Sequence, residues 1–465
     1  MTPRRLIVLL DGTWNDADFG PYDTNIVRLR ERIAEYSDAL NTAAPYAQRA
    51  PANPSQMVEK TVTDDRANIV FYERGVGTDT LSNRIFGGMI GVGLDANIRR
   101  AYKFLSFFYE PGDQIYIFGF SRGSYTARSL VGYIAAAGLL KCEKCDEQNE
   151  RIAWDFYRTP PNDRLPGVWH DLAANVHDRD TLRVDCLAVF DTVGALGIPF
   201  QGFLRANRER YEFHDVELSS IVRVNLQALA IDENRWPFQA TVWRKPRFKK
   251  INTVVEQTWF AGAHADVGGG YIVEAKRGDN KYLDDISLDW LLRRLKFHFS
   301  DFPIDGALIR AAANDAARSE QDLDWRKAPV HDSRGWAYKF YRKAWRCIGN
   351  LDIDGLPHRE IGVGYDRHAI PINEMVHISA IEMLGQTPPG FRRRPYMPRN
   401  LLAAREAIKA TYAQEARDDS RRLPVVGWDG SILSPQCEKD RLLVTEALKR
   451  SSQPPGGGHA GTSPT

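Results

Sequence analysis

Short apolar runs alternate along this chain with longer stretches in which apolar residues recur every three or four positions. Five runs read as strands: "RLIVLLD" (5–11), "NIVFYERG" (68–75), "QIYIFGF" (114–120), "VDCLAVFD" (184–191) and "VEQTWFAGAH" (255–264). Several are apolar almost throughout, the pattern of strands buried on both faces. Between them, Leu94, Ile98, Ala101, Tyr102, Leu105 and Phe108 mark one face of a helix over 94–109. Segment 122–140 is rich in Ala and Leu, and 285–299 is a further amphipathic helix with Asp285 or Ser287 available as its cap. Strands alternating with helices predict an α/β fold with a mostly parallel sheet covered by helices. Residues 40–66 and 141–182 read as insertions, the second with a short helix near 152–157. After about residue 300 the alternation fades into a helical, irregular region rich in Arg and Pro, and 451–465 has the composition of a disordered tail.

One strand ends in a turn with chemical meaning. In "FGFSRGSYTARSL", Ser121 has Gly119 two residues before it and Gly123 two residues after. Gly-x-Ser-x-Gly between a strand and a helix is the nucleophile elbow: a tight turn presents the serine hydroxyl above the sheet, and the glycines give room where side chains would collide. The next amide, that of Arg122, then faces a developing oxyanion. A second donor is expected from the loop after an early strand, and "LLDGTWND" offers Gly12 or Thr13, with Asp11 bracing the loop. The same segment resembles the "DxDGT" start of haloacid-dehalogenase phosphatases, but Leu9 stands where their nucleophile would be.

A serine hydroxyl needs a histidine base, and the base needs a carboxylate to set its tautomer. In the order Ser, acid, His, Asp191 at the end of one strand is the candidate acid and His264 at the end of another the candidate base. Asp266 is an alternative acid. His377, in the helix-like "EMVHISAIEML", is the alternative base.

Composition excludes rather than selects. Lys and Arg total 62 and Asp and Glu 60, a net charge of +2, so nothing global calls for nucleic acid. The N-terminal "MTPRRLIVLLDG" is too short in its apolar run for a secretory signal and reads as a first strand, so a cytoplasmic protein is expected, with export by a signal-independent route left open. Five cysteines do not make a disulfide framework. Cys142-x-x-Cys145 and His264-x-Asp266 are metal-ligand fragments without a second cluster, so neither a metal nor an organic cofactor is expected.

With these residues assembled, the sequence resembles the α/β-hydrolase family that supplies the catalytic domain of type VI secretion phospholipase effectors. The blocks carrying the resemblance are "LDGTWND" with "TNIVRL", "VFYERGVGT", the long block from Gly91 to Ile134, "VFDTVGALG", "ALAIDENRWPF", and "FAGAHADVGGGY" with "LDDISLDWLL"; "VHISAIEML" is a weaker last block. The resemblance implies an α/β-hydrolase-like catalytic domain, read here over 1–300; residues 301–450, where the alternation fades, read as a helical accessory region packed on it. It also implies a lipolytic Ser121–Asp191–His264 set.

The expected activity is therefore ester hydrolysis on a phospholipid or other lipid ester. Two alternatives stay open: a carboxylesterase for small-molecule or polysaccharide esters, and a silent hydrolase fold used for binding. "WRKPRFKK" (243–250) and "FRRRPYMPR" (391–399) mix cations with aromatics, the composition of a peripheral contact with anionic headgroups and also of plain solvated loops. "FGGMIGVGL" (86–94) reads as close backbone packing or an acyl-facing element.

Overall fold

In a computed structural model the described residues are 3–12, 24–39, 63–64, 68–73, 89–193, 218–235, 238–244, 252–271, 282–304, 328–333, 345–349, 372–388, 394–413 and 422–450. The tail, Thr13, most of 40–66 and parts of the two basic stretches and of 86–94 lie outside them.

Among the described residues nine strands form one sheet: β1 (Arg5–Leu10), β2 (Thr63–Asp64), β3 (Asn68–Glu73), β4 (Gln114–Phe120), β5 (Val184–Phe190), β6 (Val222–Ala230), β7 (Val254–Phe260), β8 (Glu374–His377) and β9 (Val425–Val426). Their order is β2-β3-β1-β4-β5-β6-β7-β8-β9. Every neighbouring pair is parallel except the edge pair β2–β3. The fold is α/β, and helices cover both faces. Alternation along β1 divides the core. Ile7 and Leu9 pack with helix α1 (Asn25–Ala39) and with the C-terminal segments. Leu6, Val8 and Leu10 pack with α2 (Met89–Phe108), α3 (Arg122–Ala137), α4 (Glu147–Arg158) and α5 (Pro166–Ala173).

After β1 the chain crosses to β3 on one side, and after β4 it moves to β5 on the other. The carboxyl ends of β1 and β4 therefore meet at the switch point, where open α/β sheets leave a crevice. Gly12 follows one strand and Ser121 the other.

Four features depart from the sequence reading. The helix expected over 285–299 is α7 (Leu283–His298; α6 is given below). Its N-cap is Tyr282, whose amide donates to Asp285 Oδ2 (2.9 Å), while Ser287 sits inside the helix and donates to Val267 O (2.6 Å). The short helix of the second insertion is longer, Glu147–Arg158, and starts on Asp146, which accepts from the Asn149 amide. His377 ends a strand rather than lying in a helix; α8 (Ile378–Met383) begins after it. The region beyond residue 300 also supplies β8 and β9 to the same sheet, besides α9 (Arg399–Tyr412) and α10 (Glu438–Arg450). A boundary at residue 300 thus cuts through the sheet. The short run "EMVH" pairs with β7, and "VV" pairs with "EMVH" in turn.

Candidate active site

Ser121 stands between β4 and α3 with φ 57° and ψ −121°, a conformation that non-glycine residues rarely adopt. Its amide donates to Phe190 O (3.1 Å), and the Ser124 hydroxyl donates to the same carbonyl (2.8 Å). Both flanking glycines are needed. A Cβ on Gly119 would lie 2.6 Å from Gly123 O, and one on Gly123 would lie 2.1 Å from Leu10 O. A serine in the N-cap position usually caps its own helix. Ser121 makes no side-chain cap bond, so its hydroxyl is not spent on the helix.

Phe120, the residue between Gly119 and Ser121, seats the next part of the site. Its ring stacks on His264, centroids 4.8 Å apart. It reaches there because Gly268 has no Cβ, which would fall 1.9 Å from the ring, and it also packs against Gly12. Phe238 meets the other side of His264 edge-on at 5.3 Å.

Asp191 follows β5, one strand over from Ser121, since Phe120 and Phe190 are paired in register. It too has positive φ, 40°. His264 begins the short helix α6 (His264–Gly268) after β7. Its Nδ1 lies 2.6 Å from Asp191 Oδ2, and both side chains are fully buried. Burial alone would raise the Asp191 pKa. The Arg346 guanidinium and the bond to His264 outweigh it and hold Asp191 down at about 2. An ionised carboxylate only accepts, so Nδ1–H is the donor in this contact, which leaves Nε2 as the ring nitrogen available to a base's role.

Three buried carboxylates hold three successive amides ahead of that ring. Asp232 Oδ2 accepts from Gly262 N (2.7 Å), Asp266 Oδ2 from Ala263 N (2.9 Å) and Glu233 Oε2 from His264 N (3.4 Å). Burial pushes Asp232 up to about 6, with Asp266 and Glu233 adding repulsion. Glu233 is equally buried, but Arg235 binds it through Nε and Nη2 and keeps it below the usual carboxylate range.

The alternatives for the acid and base sit elsewhere. Asp266 Oδ1 lies 2.6 Å from His331 Nδ1 and does not serve His264. His377 Nδ1 meets the Ser379 hydroxyl at 2.8 Å, and its ring packs on Phe260 and Trp428.

The first loop corrects one expectation. The Gly12 amide donates to Asp11 Oδ1 (2.7 Å), so it is committed to its neighbour rather than aimed at an oxyanion. The same buried carboxylate accepts from Thr24 Oγ1 (2.8 and 2.9 Å) and Tyr72 OH (2.9 Å), which ties the loop down. The Arg122 amide opens α3, one of the first-turn donors that no carbonyl of the helix can reach.

Arg346, Asp232 and Glu233 were not singled out from the sequence. Glu233 and Arg235 lie inside the quoted block "ALAIDENRWPF", where two acids and a cation follow an apolar run that ends a strand. Arg346, in "AWRCIG", carries no pattern. Among the described residues no group of three or more His, Cys, Asp or Glu could hold a metal, and no helix is long and apolar enough to cross a membrane.

An uncharacterized protein of Saccharomyces cerevisiae is 30% identical over 197 residues, 38% of this chain and 27% of that protein. Among solved structures, a Tle1 effector bound to the VgrG spike of the type 6 secretion system is 17% identical. That match covers 59% of this chain and 52% of the other, with a TM-score of 0.30. An uncharacterized protein from Pseudomonas aeruginosa is 14% identical, covering 96% and 62%, with a TM-score of 0.32. This chain thus spans less than two thirds of the length of each of these relatives. The family model of the type VI secretion (T6SS) phospholipase effector Tle1-like catalytic domain matches residues 4–294, more than half of the chain, and the chain belongs to that family.

Proposed function

We propose that this protein is a serine ester hydrolase that cleaves a phospholipid or related lipid ester, with Ser121 as nucleophile, His264 as base and Asp191 as the orienting acid. The observation that carries the reading is the buried 2.6 Å Asp191–His264 contact beside a strained serine whose hydroxyl does not cap its helix. Family membership supports the lipid ester as substrate class.

The chemistry follows from the parts. Ser121 Oγ bonds to the ester carbonyl carbon while His264 Nε2 takes its proton. The oxyanion is held by the Arg122 amide and by the loop after β1, where the Thr13 amide is the remaining candidate. Collapse breaks the carbon–oxygen bond to the alcohol, which leaves with the proton from His264. Water then attacks the acyl-enzyme, His264 takes its proton, and the fatty acid departs as the proton returns to Ser121. Asp191 stays ionised throughout and stabilises the imidazolium. The substrate sits at a lipid surface, and delivery by a type VI secretion system is part of the same proposal.

The test is fatty-acid release from mixed phospholipid vesicles beside a soluble short-chain ester. The expected result is vesicle hydrolysis that is lost in Ser121→Ala. Cleavage of the soluble ester alone moves the substrate to a small carboxylic ester. No turnover of either rejects the hydrolase reading.

A further inference from the structure

The proposed acid is not held by backbone alone. Arg346 lies more than 150 positions downstream, beyond the residues that match the family model, and its side chain is 1% exposed. Nη1 donates to Asp191 Oδ1 (2.5 Å) and Nη2 to Asp191 Oδ2 (3.0 Å), a two-pronged grip on the carboxylate. The same nitrogens donate to Ala230 O (2.8 Å) and Phe238 O (2.6 Å). These anchors matter. Ala230 also gives its amide to Asp191 Oδ1 (2.9 Å), and the Phe238 ring packs against His264. One guanidinium therefore fixes the carboxylate plane, the end of β6 and the segment beside the imidazole.

We propose that Arg346 is the positioning residue for the Asp191–His264 pair: its planar fork sets the carboxylate that orients His264 and shares that carboxylate's charge. The inference rests on the serine-hydrolase reading above. A fork matches a carboxylate in a way an ammonium does not. Charged groups near this ring among the described residues include Glu233, which pairs with Arg235, Asp232 behind Gly262, and Asp266, which pairs with His331. Arg346 alone among these cations grips Asp191 itself.

The experiment compares wild type with Arg346→Met and Arg346→Lys. It reads kcat, KM, thermal unfolding and, by nuclear magnetic resonance, the downfield signal of the His264 Nδ1 proton that bonds to Asp191. In Arg346→Met, kcat should fall by about 100-fold, the scale of a misplaced catalytic group, with KM little changed. The Nδ1 proton signal should move or broaden, because the carboxylate is no longer held in plane. Arg346→Lys keeps the charge and loses the fork, so kcat should recover only in part and the signal should stay displaced. A folded Arg346→Met protein whose Nδ1 signal is that of wild type overturns the proposal, whether kcat is kept or lost. If that variant does not fold, Arg346→Lys decides: reduced kcat with a displaced signal supports the proposal, and wild-type kcat overturns it. If the wild type cleaves no ester, the hydrolase reading fails, and the signal still decides whether Arg346 sets the Asp191–His264 contact.

Discussion

Asp191–His264 and Asp266–His331 share a 2.6 Å contact between an imidazole Nδ1 and a carboxylate oxygen, and differ in what surrounds it. The first pair is wholly buried, gripped by Arg346 and set one strand from a strained serine. The second has a histidine side chain 33% exposed, stacked on Tyr271 at 3.8 Å, and its aspartate also holds backbone amides of Ala263 and His331. Burial and the nearby cation separate the two electrostatically. Asp191 is held down at about 2, whereas the Asp266 carboxylate raises His331 against the lowering effect of burial. A short Asp–His contact therefore does not by itself define a catalytic pair. The neighbouring nucleophile and the state of the carboxylate do.

The strongest way to break the comparison is to neutralise each pair in turn. Asp191→Asn should lower kcat by about 10³–10⁴-fold, because the wrong tautomer of His264 is then favoured. His331→Gln should leave kcat near wild type. Steady-state kinetics with a thermal-unfolding check on each protein reads both, and a comparable loss in the two would dissolve the distinction.

The corner that serves the first pair is equally sensitive. Gly123→Ala should cost at least about 3 kcal/mol in chemical denaturation, since backbone oxygen rather than a yielding side chain lies 2.1 Å from the new Cβ. Gly167→Ala, in α5 with nothing within 4 Å, should instead stabilise by about 0.5–1 kcal/mol.

Much of this was legible in the sequence, for a physical reason. Strands β1, β3, β4 and β5 are buried on both faces, so they read as apolar runs, and the elbow announces itself because only glycine fits both flanks of Ser121. Strand β6, "VRVNLQALA", was hidden by polar residues that the sheet buries. Asn225 donates to Thr253 Oγ1 (2.8 Å), and Gln227 donates to Thr241 O (3.0 Å). Bonded through their amide nitrogens they sit inside the sheet, but no local pattern reveals it. The order Ser, acid, His pointed to Asp191 and His264 yet left Asp266 open, because order along the chain does not say which carboxylate faces the ring. Arg346 was invisible for the same reason: its partner is distant in sequence.

A smaller effect concerns Asp232, which holds the Gly262 amide ahead of His264. Asp232 titrates at about 6 in the folded protein against roughly 3.9 unfolded, so the native state binds the extra proton between those values. Its contribution to stability therefore falls as pH rises from about 4 to 6, by roughly 2–3 kcal/mol. Asp232→Asn keeps an acceptor for Gly262 N and Tyr396 OH and should flatten that slope in denaturation curves taken across the range.

The smallest expected effect contrasts the pairs themselves. His331 has a raised folded pKa, so its pairing stabilises below its unfolded pKa of about 6.5 and is lost as pH climbs through the folded value. Asp191 behaves oppositely: its contribution is present above about 3.9 and lost only as pH falls through about 2. His331→Gln should remove a shallow slope in unfolding temperature around neutral pH and leave the acid side unchanged.

Covalent labelling by a serine-directed lipid phosphonate, with the modified peptide mapped by mass spectrometry, asks whether Ser121 is an activated nucleophile. The expected result is a single adduct on Ser121 in the wild type, lost in His264→Ala and strongly slowed in Asp191→Asn. An unlabelled Ser121 in folded protein, or labelling that persists unchanged in His264→Ala, would contradict a Ser121–His264–Asp191 hydrolase.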